Sequence, residues 1–492
     1  MTTNASDSIT EPDLDAASML GLLDRQRQAY LAEGPPSLEV RLDRIRRLTL
    51  ALLEHADELV AALDADFGNR PAAVSLSSDV LGSLHGLQRL QEELGTWMAD
   101  EPVPGSAENG MPTFIQHRPK GVVGVIGPWN FPVNLAFLPA LEALAAGNRV
   151  MIKFSEVPER TAAVFARAVA THLSPDEVVV VRGGVETSAA FAALPFDHLF
   201  FTGSPAVGRH VAVAAGANLV PVTLELGGKN PVVVARDADL AEAAGRIAAQ
   251  RMMNGGQLCL CPDYVFVPQE AVGAFVDHYA AAMAGYFPTY LDNPGVVTIV
   301  NDRNYDRVVG LIEDARAKGA DVRTLAPADE LSSLPSSASR RIPPTVLLGA
   351  TDAMDVAHEE VFGPVITVLG YDDVRAAIDY INARPHPLAA YWYGEESSDF
   401  HEFLRLTTSG GVTRGDMALH FGIEGAPFGG VGQSGSGAYH GKVGFDTFSH
   451  RRTVTQSALP FGVAPRSMPP FKPERLDGIR ATISKQAEAL RG

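Results

Sequence analysis

The sequence predicts an α/β fold with parallel sheets, and three observations carry that prediction. Short apolar, β-branched runs alternate with helix-length amphipathic segments, the pattern of strands joined by helical crossovers. The alternation occurs twice, from Gly121 to Leu226 and again after Asn230, so two such regions are expected. The loops after these strands are dense in glycine and small polar residues, and open parallel sheets bind ligands at the carboxyl ends of their strands.

Residues 1–16 are polar and acidic and are expected to be disordered. From Ala17 to about Asp100, apolar residues such as Met19, Leu22 and Leu23, then Leu42, Ile45, Leu48 and Leu52, recur at helical spacing. Gly34-Pro35-Pro36-Ser37 breaks them into packing helices. After a Pro/Gly loop at 102–110, Thr113 to Arg118 alternates like an exposed strand. The first alternating region has strands at 122–126, 149–154, 177–181, 198–201 and 220–224, with helices near 133–146, 159–172, 186–194 and 205–215. The second has strands near 232–235, 264–267, 345–348 and 365–369, with helices near 239–253, 270–284, 302–318 and 373–383. Residues 326–340 read as a Ser/Pro-rich surface loop, glycine is dense from Ser409 to Gly444, and a strand is expected at 446–454. The stretch 459–492 combines a Pro-rich piece with a short amphipathic helix.

Composition bounds the function. With 492 residues, 46% apolar and 20% charged, the chain is an ordinary globular protein of two or three domains. A net charge of −18 argues against nucleic acid and against anionic membrane surfaces. The most apolar long runs, around 133–146 and 211–224, are interrupted by Pro139, Glu142, Gly216 and Pro221 and cannot span a bilayer. The start of the sequence lacks a secretory signal layout. The two cysteines, Cys259 and Cys261, offer neither a disulfide framework nor a zinc ligand set, so no metal and a reducing, cytoplasmic setting are expected.

Six stretches could carry chemistry, and each has a plainer reading. Cys259 follows a helix-like segment on a glycine-rich turn, Asn254-Gly255-Gly256-Gln257-Leu258, which suits a nucleophile; buried packing thiols are the alternative. The run from Gly121 to Gly127 leads to Asn130, whose amide could stabilise an oxyanion, or the segment is only a tight strand–loop turn. Lys153 and Glu156 close a strand where a ribose could bind, or they form a surface ion pair. Ser204 and Pro205 fit the cap and first turn of a helix after Gly203, with or without a phosphate there. Glu225, in an apolar setting before Gly227 and Gly228, has reason for a raised pKa and suits a general base; a strand-end pair with Lys229 is the alternative. Glu360 and Phe362 lead into a strand and could hold a ribose and pack on a ring, or mark an acidic turn with a core phenylalanine.

Together and in this order, these motifs resemble the NAD(P)-dependent aldehyde dehydrogenase superfamily over about residues 40–455. The stretch from Pro427 to Gly435, then Gly437 to Lys442 and Phe445 to His450, looks like the class 3 branch. The long N-terminal lead with Gly34-Pro35-Pro36-Ser37 is similar to bacterial coniferyl aldehyde dehydrogenases. The resemblance implies Cys259 as nucleophile, Glu225 as general base 34 residues upstream, and Asn130 with the Cys259 backbone N–H as the oxyanion site. It further implies cofactor contacts at Ile126, Trp129, Lys153, Glu156, Gly203, Ser204, Gly208, Glu360 and Phe362. The cofactor would be NAD, with NADP the alternative, and Glu156 favours NAD because a carboxylate repels a 2′-phosphate.

The implied architecture is a Rossmann-type cofactor domain over 17–226 with a bridging strand at about 111–120, and an α/β catalytic domain over 227–430. A glycine-rich segment with a second bridging strand would follow over 431–458, then an extension over 459–492. The two bridging strands are expected to pair, across a homodimer. The implied reaction converts an aromatic or medium-chain aldehyde to its acid; transfer of the acyl group to CoA and a catalytically silent protein on the same fold are the rivals. Cys261 stands where a small residue such as Ala is common, and Arg414-Gly415-Asp416 departs from the usual pattern, which bears on substrate identity.

Overall fold

The computed structural model describes residues 14–491. The disorder expected over 1–16 falls almost wholly outside the described residues; within them, Asp15 accepts from the Ser18 N–H at 2.8 Å and starts a helix at Ala16–Glu33. The break at Gly34 is followed by Ser37, which caps the helix Leu38–Glu54. The chain divides into two compact units, one running to Met98 and resuming over Arg118–His450, the other formed by Ala99–His117 with the chain from Arg451 onward.

The larger unit holds two sheets. The first has six strands in the spatial order Gly435–Ser436, Val222–Leu226, His198–Gly203, Val122–Ile126, Arg149–Lys153 and Val178–Val181. All pairings are parallel except that of the edge strand Gly435–Ser436. Val122–Ile126 comes first in the chain yet lies in the middle, so the strand order reverses there and opens a crevice at the carboxyl ends. The second sheet has seven strands in the order Asp321–Thr324, Thr345–Leu348, Val365–Tyr371, Pro262–Pro268, Asn230–Val234, Ala389–Tyr393 and Gly411–Arg414. Three of these are absent from the sequence reading: 321–324, 389–393 and 411–414. Ala389–Tyr393 is buried at every position, so it has no polar alternation to betray it.

The helix Asn134–Ala145 is buried along its whole length. Asp79 caps its start, its carboxylate accepting the Val133 and Asn134 N–H groups at 3.1 and 3.3 Å. Arg70, fully buried like Asp79, meets that carboxylate at 2.8 Å. Burial pushes the Asp79 carboxyl up and Arg70 down, each opposed by the other's charge. Asp79→Ala leaves a buried guanidinium uncompensated and an open helix start, and is expected to cost about 3–5 kcal/mol, read as a shift of the denaturation midpoint at constant slope. A loss under about 1 kcal/mol would contradict this account of the pair.

The smaller sheet is ordered Glu101–Pro102, Thr113–Pro119, Ser449–Thr455. This corrects the expectation that the two long strands meet across a dimer: they pair within one chain. The reason is that the segment after 455 continues antiparallel along 110–112, with Gln456 N–H donating to the Pro112 carbonyl at 3.0 Å and Ala458 N–H to that of Gly110 at 2.8 Å. Beyond it, the helix Pro473–Ala489 has no buried residue. No helix among the described residues is long and apolar enough to cross a membrane.

Candidate active site

The helix Leu240–Met252 ends in a turn, Met253–Gly256, where Asn254, Gly255 and Gly256 all take positive φ, 51°, 66° and 78°. A Cβ at Gly256 would strike the Gly363 carbonyl, so this is where the turn passes against the loop that carries Glu360 and Phe362. Gln257 fixes the exit: its amide donates to the carbonyls of Asn254 and Thr298 at 2.9 and 3.1 Å and accepts from Val300 N–H at 2.9 Å. Arg251, fully buried, donates to the carbonyls of Gly363 and Pro262 at 2.8 Å and of Gly256 at 3.3 Å. Asn230 donates to the carbonyls of Cys259 at 2.7 Å and Cys261 at 2.9 Å. Every turn of the loop around Cys259 is therefore held by a side-chain hydrogen bond.

Asn130 lies against this loop, its amide N–H donating to the Gln257 carbonyl at 3.1 Å, while Asn254 donates back to the Asn130 carbonyl at 3.1 Å. One amide proton of Asn130 remains beyond that bond. Glu225 is inside the strand Val222–Leu226, not after it, and pairs in register with Gly435. Lys229 is engaged elsewhere, with the Asp263 carboxylate and the Glu359 carbonyl, so the strand-end pair with Glu225 does not form. Glu225 is 3% exposed and its carboxyl is held by no side chain among the described residues.

The three reactive groups feel one another. Burial pushes the Cys259 thiol up, and the charges of Glu360 and Glu225 add to that. Burial likewise holds the Glu225 carboxyl well above the ordinary range, the Gly430 amide opposing it only in part. Glu360 is pushed up to about 8 by burial and by Asp263. Its carboxylate packs against Gly227, where a Cβ would collide with it. Cys259 is partly exposed and Cys261 is buried, its thiol donating to the Gln250 carbonyl at 3.4 Å.

Most of the other expected contacts follow the carboxyl ends of strands in the six-stranded sheet, whereas Phe362 belongs to the loop before Val365–Tyr371 of the seven-stranded one. Ile126 and Lys153 are register partners at the carboxyl ends of central strands. The Lys153 ammonium is fully buried and donates to the carbonyls of Gly183 and Phe154. Glu156 is exposed just beyond it. Ser204 caps the helix Pro205–Ala217, accepting from Val207 N–H, and Gly208 packs on Leu226. The Thr202 hydroxyl, at the end of its strand, is buried without a partner. Trp129 and Phe362 meet edge to face at 5.3 Å. A helix start behind Gly203, an orphaned hydroxyl, a buried ammonium and an exposed carboxylate at a topological switch fit a dinucleotide.

The sequence reading did not give roles to Asn230, Arg251, Asn254 or Gln257. Only Asn254-Gly255-Gly256 carried a local signal, an Asn before two glycines, for left-handed backbone.

The pattern described as the aldehyde dehydrogenase family matches residues 24–454. A protein of Caulobacter vibrioides named "Probable coniferyl aldehyde dehydrogenase" is 47% identical over 479 residues, covering 96% of this chain and 98% of that one. A coniferyl aldehyde dehydrogenase of a Pseudomonas species is 44% identical, covering 89% and 91%. Among solved structures, the substrate-bound state of Staphylococcus aureus AldH superposes with a TM-score of 0.86 at 29% identity, covering 94% of this chain and 99% of that one.

Proposed function

The chain belongs to the aldehyde dehydrogenase family, and on that premise we propose that it oxidises an aromatic aldehyde of the coniferyl type to its carboxylic acid with NAD. The observation that carries this reading is the grouping of Asn130 and Glu225 around Cys259, whose loop is held by Asn230, Arg251 and Gln257. We assign the six-stranded sheet to the cofactor and the seven-stranded sheet to catalysis.

Cys259 is a thiol at rest, so its attack on the aldehyde carbon must deliver the thiol proton to a carboxylate beside it. The new S–C bond leaves an oxyanion, which the spare Asn130 proton and the Cys259 backbone N–H are placed to hold. Bound NAD supplies the acceptor for the hydride that leaves this carbon, and a thioester on Cys259 remains. Glu225 takes a proton from water as it attacks the thioester; the C–O bond forms, the S–C bond breaks, and the thiolate leaves. A buried carboxylate held by no other side chain is suited to that step, and transfer to CoA would have no use for it.

Lys153 and Glu156 would hold the adenosine ribose, Gly203, Ser204 and the Gly208 turn the pyrophosphate, and Glu360 and Phe362, with Trp129 and Ile126, the nicotinamide end. We infer a homodimer through the outer edge of the Ser449–Thr455 strand, which has a neighbour on one side only among the described residues.

The test is direct. Purified protein with coniferyl aldehyde is expected to reduce NAD and release the acid without CoA, to sediment as a dimer, and to show a lower KM for NAD than for NADP. A strict requirement for CoA would reject the hydrolytic route, and a lower KM for NADP would reject the role given to Glu156.

A further inference from the structure

Behind the loop that carries Asn130, a buried ion pair does more than close a helix. Arg70 and Asp79 are both fully buried and meet at 2.8 Å. Such a pair is kept at a cost, since apolar side chains of similar volume are often neutral or better for stability. Here the cost is raised twice. The Arg70 guanidinium has Nε and Nη1 without a hydrogen-bond partner. Asp79 stands in a π-helical stretch, Leu76–Leu81, a rare form that proteins keep mostly at functional sites. Neither feature is needed for stability, and the contacts of the pair show what they serve.

Those contacts bracket Asn130. Asp79 accepts the N–H groups of Val133 and Asn134, three and four residues after it. The Arg70 guanidinium lies 5.1 Å from the centre of the Phe131 ring, the next residue, and 4.8 Å from that of Phe67. Phe67 in turn meets Trp129, the residue before Asn130, at 6.5 Å. Trp129, Phe131 and the helix start are thus all held from residues 67–79.

The same segment reaches the nucleophile loop. The Phe67 carbonyl accepts from the Thr298 hydroxyl at 2.6 Å, and the Asn69 carbonyl from the Thr298 N–H at 3.1 Å. Thr298 offers its own carbonyl to the Gln257 amide at 3.1 Å, and the Gln257 carbonyl accepts from the Asn130 amide at 3.1 Å. Asn130 is therefore fixed through its backbone from one side and through one amide proton from the other. Its second amide proton is left with a set direction. That is what a donor needs when the charge it meets develops only during the reaction.

We propose that Arg70 is a positioning residue for the reaction: through Asp79 and Phe131 it holds the Asn130 amide on the oxyanion. Arginine suits the task because its planar fork engages a carboxylate while its face packs on aromatic rings. The assignment rests on the aldehyde-oxidising reading above and adds what keeps its oxyanion donor in place.

The experiment measures the rate of NADH formation in the first turnover, with coniferyl aldehyde and saturating NAD. Arg70→Met/Asp79→Asn removes both charges, keeps the bulk and leaves an acceptor for the two N–H groups. It is expected to unfold near the wild-type midpoint, to bind NAD as before, and to slow the first turnover about tenfold, because the donor is loosened and not lost. Alkylation of Cys259 by iodoacetamide, which develops no oxyanion, keeps its wild-type rate in that variant. Asn130→Ala slows the first turnover about 10²–10³-fold. Adding Arg70→Met/Asp79→Asn to it costs nothing more, since the donor being positioned is gone. Arg70→Lys keeps the charge without the plane and loses part of the rate. The assignment is overturned by a wild-type first turnover in Arg70→Met/Asp79→Asn, by an equal fall in its alkylation, or by a loss that adds in full to that of Asn130→Ala. A wild-type first turnover in Arg70→Lys overturns it should the double variant fail to fold. If the wild-type protein forms no NADH with any aldehyde, or Asn130→Ala keeps its rate, the reading of the site falls first, and the assignment with it.

Discussion

Cys259→Ala is expected to lower kcat by about 10⁴-fold or more while leaving dinucleotide binding intact. The chain has no second thiol able to step in. Cys261 is 4% exposed and its thiol is turned to the Gln250 carbonyl, on the far side of a loop whose two carbonyls are both pinned by Asn230. Shifting the loop to bring Cys261 forward would break those bonds. Two measurements check this. Steady-state NADH production gives kcat, and intact mass after iodoacetamide shows one adduct on the folded wild-type protein and none on Cys259→Ala. Cys261→Ala keeps both turnover and the single adduct. Measurable steady turnover in Cys259→Ala would reject the nucleophile, and an adduct persisting there would show that Cys261 is the reachable thiol.

Much of this site was legible in the sequence because its chemistry-bearing residues sit at the ends of strands that the alternation reveals. Val122–Ile126, Glu159–His172 and Thr345–Leu348 appear where the periodicity puts them. Glu225 and Cys259 stand out because a carboxylate in an apolar run and a thiol on a glycine turn each break a local pattern. What stayed hidden depends on distant partners. Nothing near Arg251 announces that its guanidinium will tie Gly256, Pro262 and Gly363 together, since all three acceptors are backbone carbonyls. Asn230 stands in the sequence only as the residue after which the second alternation begins, and its role follows only once the 262–268 and 389–393 strands lie beside it. The bridging strands illustrate the other failure. An exposed alternating strand signals that its edge needs a partner, but not whether the partner is the same chain.

Glu225→Gln is expected to stop the reaction at the thioester, lowering steady turnover about 10²–10⁴-fold while sparing the first turnover. The reason is the division of labour between the two halves. Attack by Cys259 has a second acidic group near it, Glu360, whose ionised form can take the thiol proton. Water attack has no such substitute, because Glu360 packs on Gly227 and is the residue we assign to the nicotinamide ribose. The variant should therefore show one equivalent of NADH in a burst, and its intact mass should rise by one acyl group. The pH profile gives an independent check with a definite sign. Glu225 works as a base only when ionised, and burial holds its carboxyl well above the ordinary range. In the wild-type protein, hydrolysis of the acyl-enzyme should thus keep rising with pH through and beyond neutrality, whereas an ordinary carboxylate would reach its plateau above about pH 5. In Glu225→Gln the residual hydrolysis should lose that titration and follow only hydroxide. A variant that turns over steadily with the wild-type pH profile would remove Glu225 from the mechanism and leave Glu360 as the base for both halves.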